Sequence, residues 1–310
     1  MKEDLLMNLE YKKQIKIWRN VSIILICFLF ILFLANANSS KLADEDSVLE
    51  NSIAEIDIDG VIAKDDYRDN KIANIIKNDK IKAVILNIDS PGGMTTPSEI
   101  LYNLIYELNK TKPVVVLMGS MGTSGAYMIS LGADYIIARN TTLTGSIGVL
   151  MQSYEFVELA KKVGVELKTF KSSELKGMPS IFEKNNTKSD IAIQSSIDDI
   201  YDYFKNLVKE RRPLMTKENF DLSTNGQAFT GRQALKIGLI DEIGDKNSAL
   251  KYLETKNINT KLPIVKINLK KKVNTSIIQK LTSKIFFDIQ GSNSFGINES
   301  GLISMEFLHK

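Results

Sequence analysis

Two short apolar runs, each closed by a glycine turn, constrain this chain most. Ala83-Val84-Ile85-Leu86-Asn87-Ile88 stops at Ser90-Pro91-Gly92-Gly93. Pro113-Val114-Val115-Val116-Leu117-Met118 leads into Gly119-Ser120-Met121-Gly122-Thr123-Ser124-Gly125-Ala126-Tyr127. Short, mostly apolar runs are what strands of a parallel sheet buried on both faces require. Between them, Pro97 to Lys110 places Ile100, Leu101, Leu104, Ile105 and Leu108 at helical spacing, which predicts a helix with one apolar face. A strand is predicted over about 53–59, where the alternation is imperfect, and a helix over Asn70 to Asn78. The spacing also predicts a helix from the Ser124 turn to about Leu131 and a third buried strand at Tyr135-Ile136-Ile137-Ala138. Ser189 to Arg212 reads as one long helix and Gly231 to Ile237 as a short one. Strand and helix alternate throughout, so the fold class is α/β with a parallel sheet.

Composition excludes several function classes. Of the 310 residues 44% are hydrophobic and 25% charged, and the net charge is only +3, with no basic run interleaved with aromatics. Nucleic acid is therefore not an expected partner. The lone Cys27 lies in an apolar stretch, so disulfides and cysteine-based metal sites within the chain are excluded. Asp57, Asp59, Asp89 and Asp134 fall at strand ends, but no ligand spacing supports a metal, and neither metal nor cofactor is expected.

The N-terminus bears on topology. Val21 to Ala35 carries no charge, Lys12, Lys13, Lys16 and Arg19 precede it, and Asp44, Glu45 and Asp46 follow. A cationic flank stays in the cytoplasm, so the bulk of the chain is expected outside. Asn36-Ala37 and Trp18 extend the run toward a span at its interfaces, while Ala35-Asn36-Ala37 resembles a cleavage site. The long leading segment favours a retained anchor. The expected layout is a cytoplasmic segment over 1–20, a transmembrane anchor over 21–37, a linker over 38–51 and the main domain over 52–262. A basic amphipathic stretch and loose tail occupy 263–310.

The Ser124 turn invites a chemical reading. A small-residue turn between strand and helix holds a hydroxyl out at the end of a sheet, where ligands of open parallel sheets bind. The N–H of Gly125 could serve as one oxyanion donor, and Gly92-Gly93, at the end of the adjacent strand, could supply a second. The only histidine is His309, the penultimate residue. A nucleophilic Ser124 would therefore need another base, and lysine is the type to search for. Against this, most glycine turns after strands are purely structural.

The order, content and spacing of four motifs go further. Ser90-Pro91-Gly92-Gly93, Ser120 through Tyr127, Thr141-Thr142-Leu143-Thr144-Gly145-Ser146-Ile147-Gly148-Val149 and Gly231-Arg232-Gln233-Ala234 resemble the signal peptide peptidase A family. These are membrane-anchored bacterial serine proteases, here in their short, single-domain form, and the resemblance runs from Ile53 to Asp245. It implies a Ser–Lys dyad on a Clp/crotonase-like fold of repeated β-β-α units. The family nucleophile falls on Ser124 and the general base on Lys176, with Lys171 the competing lysine and the following Gly177-Met178-Pro179 favouring Lys176. Ser146 matches a serine that orients the lysine amine, and Gly93 and Gly125 fall on the oxyanion-hole positions. Met94 stands where a third glycine is common, Gly122-Thr123 replaces a pair of small residues, and Ala126 replaces a frequent glycine.

A free lysine titrates at about 10.4, so a lysine base needs a water-poor cleft to be neutral. The resemblance implies hydrophobic peptide substrates, cleaved signal peptides among them, and a homo-oligomer whose sites are completed between protomers. It places the chain in the bacterial cytoplasmic membrane with the protease domain outside. The alternatives are a crotonase-like acyl-CoA enzyme, which export disfavours, and a non-catalytic membrane scaffold, which retention of Ser124 and Lys176 disfavours.

Overall fold

The computed structural model describes residues 14–16, 18–23, 25, 26, 50–184, 186–271, 296, 297, 303 and 304, in two units. The terminal unit, Met1–Glu45 with Lys272–Lys310, shows helical positions between 14 and 26 and a short antiparallel pair, Gly296–Ile297 with Ile303–Ser304. The anchor expected over 21–37 lies largely, and the basic stretch and tail from 272 onward almost wholly, outside the described residues. Among those described, no helix is long and apolar enough to cross a membrane.

The unit Asp46–Lys271 is built on one eight-stranded sheet. Its strands are β1 (Ser52–Asp59), β2 (Ile81–Ser90), β3 (Val114–Thr123), β4 (Tyr135–Ala138), β5 (Leu143–Gly145), β6 (Ala228–Thr230), β7 (Glu242–Ile243) and β8 (Ile264–Lys266). The order is β6-β5-β3-β2-β1-β8, with β4 lying between β3 and β7. Every pairing is parallel except β5 with β6, so the expected parallel sheet is corrected to a mixed, mostly parallel one. The antiparallel exception escapes sequence reading because its two three-residue strands lie far apart in the chain and show no period of their own.

The two faces of the sheet explain the imperfect alternation of β1. Ala54, Ile56 and Ile58 join Val84, Leu86, Val116 and the helices in the main core. Ile53 points the other way, onto a smaller cluster with Ile85, Val115, Ile137 and Leu253. On that second face Glu55 and Asp57 stay charged. Lys246 pairs with Glu55 at 2.8 Å, Lys266 pairs with Asp57 at 2.7 Å, and the Asn87 amide donates to both carboxylates. Burial opposes the Glu55 charge, but Lys246 and Asn87 outweigh it and hold the carboxyl below its ordinary value.

The helices that matter for the site are α1 (Asp66–Lys77), α2 (Thr95–Thr111), α3 (Gly125–Ser130), α4 (Val157–Lys162) and α5 (Thr187–Arg211). Helix α1 starts before the predicted Asn70 because the Asp65 carboxylate caps it, accepting from the N–H groups of Tyr67 and Arg68 at 3.0 Å. Helix α3 is short, and all six of its residues are buried. Its Tyr127 hydroxyl donates to the Leu239 carbonyl at 2.8 Å, and Arg212, just past α5, donates to that carbonyl and to Asp241. Asp241 in turn accepts from the Ile136 N–H at 2.7 Å. This network anchors α3 against the far end of the sheet. Burial pushes the Tyr127 hydroxyl up, which keeps it a neutral donor.

Candidate active site

Strand β3 does not end at Met118. It continues through Gly119 to Thr123, pairing with β4 over Val115–Leu117 and then with β5 over Met121–Thr123. Side chains from neighbouring strands support this small-residue extension. The Asp89 carboxylate accepts from the Met121 N–H at 3.0 Å, and the Thr142 and Thr144 hydroxyls donate to the carbonyls of Gly119 and Gly122. The turn therefore shrinks to one residue, Ser124.

Ser124 sits at φ 53° and ψ −122°. An L-residue there costs roughly 1–3 kcal/mol, a strain tolerated only where the surroundings over-determine it. Two hydrogen bonds do so: the Ser124 N–H donates to the Gly145 carbonyl at 2.8 Å, and its carbonyl accepts from Met128 at 3.0 Å. The residue is half-buried at the mouth of the sheet, while the helix it caps is buried throughout. Its side chain makes no capping bond to α3.

The two glycine turns meet beside it. A Cβ on Gly92 would lie 2.9 Å from the Ser124 Cβ and 2.8 Å from the Gly125 nitrogen, so no larger residue fits between them. A Cβ on Gly125 would lie 3.5 Å from the Gly93 nitrogen, which brings the two N–H groups into one neighbourhood. The Gly92 carbonyl accepts from the Ile62 N–H at 2.8 Å. Because a peptide's C=O and N–H point in opposite directions, this bond turns the Gly93 N–H away from Ile62. Among the described residues, neither the Gly93 nor the Gly125 N–H donates to a protein acceptor. A pair of free, rigidly held donors beside a serine is what a developing oxyanion needs.

Ser146 follows directly on Gly145, whose carbonyl holds Ser124. It too has a positive φ, 49°, and its N–H donates to the Gln227 carbonyl at 2.8 Å. Lys176 is placed differently. It lies in a turn, is exposed, and its ammonium makes no hydrogen bond or ion pair among the described residues. The apolar cleft expected around it is not formed by this chain alone. Lys171, the competing lysine, is half-buried and hydrogen-bonded to Glu183, whose carboxyl it holds below the ordinary range. A groove of about 380 Å³ is lined by Thr95 at the start of α2, Leu150 and Met151 after Ser146, Leu175 and Met178 flanking Lys176, and Ile193 of α5.

Residues 106–259 match peptidase family S49. A candidate protease of Synechocystis sp. is 32% identical over 204 residues, 66% of this chain and 73% of its own length. The chain belongs to peptidase family S49. A candidate protease of Methanocaldococcus jannaschii is 37% identical over 188 residues, 61% of this chain and 60% of that one. A candidate signal peptide peptidase A of Enterococcus faecium is 31% identical over 224 residues, 68% of this chain and 65% of its own. The chain thus spans about three fifths to three quarters of the length of these relatives.

For this S49 chain, the structure brings together Ser124, Gly125, Gly93 and the backbone of Ser146, and leaves Lys176 on an exposed turn. Sequence reading missed two supports. The Ile62 bridge to Gly93 pairs residues with no shared pattern. The buried Ser98 also carries no local signal, since a serine in the first turns of a helix reads as ordinary.

Proposed function

We propose that this chain is a membrane-anchored serine endopeptidase working through a Ser124–Lys176 dyad. The observation that carries it is the strained Ser124 standing beside two unoccupied N–H donors, those of Gly93 and Gly125. In the first step the neutral Lys176 amine takes the Ser124 hydroxyl proton as Oγ bonds to the scissile carbonyl carbon, and the carbonyl oxygen gains the electron pair between the two donors. The tetrahedral intermediate collapses, the C–N bond breaks, and the leaving amine takes the proton from the Lys176 ammonium. Water then attacks the acyl-enzyme by the same proton route and releases the acid. The Ser146 hydroxyl orients the lysine amine.

A lysine works as a base only where water is excluded. Exposed Lys176 therefore acquires its surroundings by assembly. The segment around it carries Leu150 at 77%, Tyr154 at 75% and Phe170 at 87% exposure, more apolar surface than a solitary chain would be expected to leave uncovered. A second copy of the chain is the cover, which makes the working form a homo-oligomer with sites completed between protomers. The apolar groove beside the oxyanion turn suits extended hydrophobic peptides, including cleaved signal peptides, presented at the outer face of the cytoplasmic membrane.

A fluorophosphonate probe and an apolar fluorogenic peptide test this directly. Wild type is expected to be labelled on Ser124 and to cleave the peptide, and Ser124→Ala to lose both, with cleavage falling by at least about 10³-fold. A folded wild-type protein that neither labels nor cleaves would remove the proposal.

A further inference from the structure

We propose that Ser98 is a positioning residue of the oxyanion pocket, locking together the two turns that carry its donors; this rests on the peptidase reading above. Ser98 is fully buried on the first turns of α2, and its hydroxyl donates to the Met94 carbonyl at 2.8 Å. The Ser98 N–H donates to the same carbonyl at 3.2 Å. Met94 in turn donates its N–H to the Ile62 carbonyl at 2.8 Å, so Gly93 is held from the residue on its C-terminal side. On its N-terminal side the Gly92 carbonyl is held by the Ile62 N–H.

The other turn leans on the same hydroxyl. A Cβ on Gly125 would fall 2.2 Å from the Ser98 Oγ and 3.0 Å from its Cβ, so Gly125 packs against the Ser98 side chain with no space to spare. Ser98 thus touches both donor-bearing turns: one by a hydrogen bond, the other by contact. Met94, the N-cap of α2, makes no side-chain capping bond, so the Ser98 hydroxyl ties the C-terminal side of this turn, while on its N-terminal side the Ser90 hydroxyl accepts from the Gly92 N–H at 3.1 Å. Removing the hydroxyl leaves the Met94 carbonyl with only the longer Ser98 N–H bond and opens a gap beside Gly125. Both effects let the Gly93 and Gly125 N–H groups drift from the position of the developing oxyanion, where small displacements are costly.

The test uses the full chain. Ser98→Ala and Ser98→Cys are compared with wild type for three readouts: the rate of Ser124 phosphonylation by a fluorophosphonate, kcat and KM on an apolar peptide, and Tm. The phosphoryl oxygen of the probe occupies the oxyanion pocket as the carbonyl oxygen does. Alanine is expected to slow phosphonylation and lower kcat by about 10–100-fold with KM within about twofold, the signature of a lost transition-state contact. Cysteine, which keeps the side chain's reach and a weak donor, is expected to recover part of that loss. If alanine impairs folding, the cysteine variant alone decides, by a kcat below wild type at unchanged KM. Equal phosphonylation rates and kcat in the folded variants and wild type would overturn the proposal and leave the peptidase reading intact, as would a raised KM at unchanged kcat. A folded wild type inert to probe and peptide would overturn both.

Discussion

Ser124 stands at the end of a strand paired on both sides, on a helix whose six residues are all buried, with its own N–H and C=O both hydrogen-bonded. Lys176 stands on an exposed turn of a segment that holds one short helix, Val157–Lys162, none of whose residues is buried. On the proposed reading, the nucleophile and oxyanion donors are organised by the chain's own core before any substrate arrives. Lys176, the proposed base, is carried on a surface that the single chain does not cover. With the proposed second copy as cover, such a division suits a peptidase that acts only when assembled, because the half that excludes water would come last.

The largest expected effect separates the two lysines on the uncovered side. Lys176→Ala is expected to lower kcat/KM by about 10²–10⁴-fold, the usual worth of a general base, while Lys171→Ala lowers it by less than about tenfold. Lys171 is engaged by Glu183 and so is not free to serve Ser124 in this arrangement. Steady-state kinetics of both variants decide it, and a larger loss in Lys171→Ala would exchange their roles.

A second experiment attacks the uncovered surface. Phe170→Asp places a charge where the single chain is 87% exposed, so folding stability should change by no more than about 0.5 kcal/mol. Sedimentation velocity is expected to show smaller assemblies, with specific activity falling in step. Full activity in a monomer would mean that the base side needs no partner.

The smallest effect belongs to the sheet half. Lys246 and Asn87 hold the Glu55 carboxyl below its ordinary value, so this contribution to stability is present above the unfolded value of 4.5 and is lost as pH falls through the lower folded value. Glu55→Gln should therefore cost about 0.5 kcal/mol at neutral pH, discounted for solvent screening, and less in acid. Urea melts at the two pH values read the difference. A cost that stayed constant with pH would point to packing rather than charge.

Much of this division is visible in the chain before folding is considered. The apolar runs at 83–88 and 113–118 mark β2 and β3, and Ile100, Leu101, Leu104, Ile105 and Leu108 mark α2, because burial on a regular element leaves a period in the sequence. Glycines 92, 93 and 125 are legible as a close approach because a side chain would fill the space. The continuation of β3 to Thr123, the β5–β6 pair and the Ile62 bridge were not legible. Each is a backbone pairing made by small or mixed residues, and its partner is fixed elsewhere in the chain.

The sequence by itself determined an α/β sheet, the placing of Ser124 on a turn at a strand's end, a single histidine far along the chain at 309, and membership of a family with a lysine base. Only the tertiary structure decided that Ser124 is held at φ 53°, that the Gly93 and Gly125 N–H groups meet beside it, and that buried Ser98 braces both turns. It also decided that Lys176 is left uncovered. The reason is physical: a residue's type and period record which side is buried, whereas strain, donor direction and shared contact arise only when distant segments close on one another.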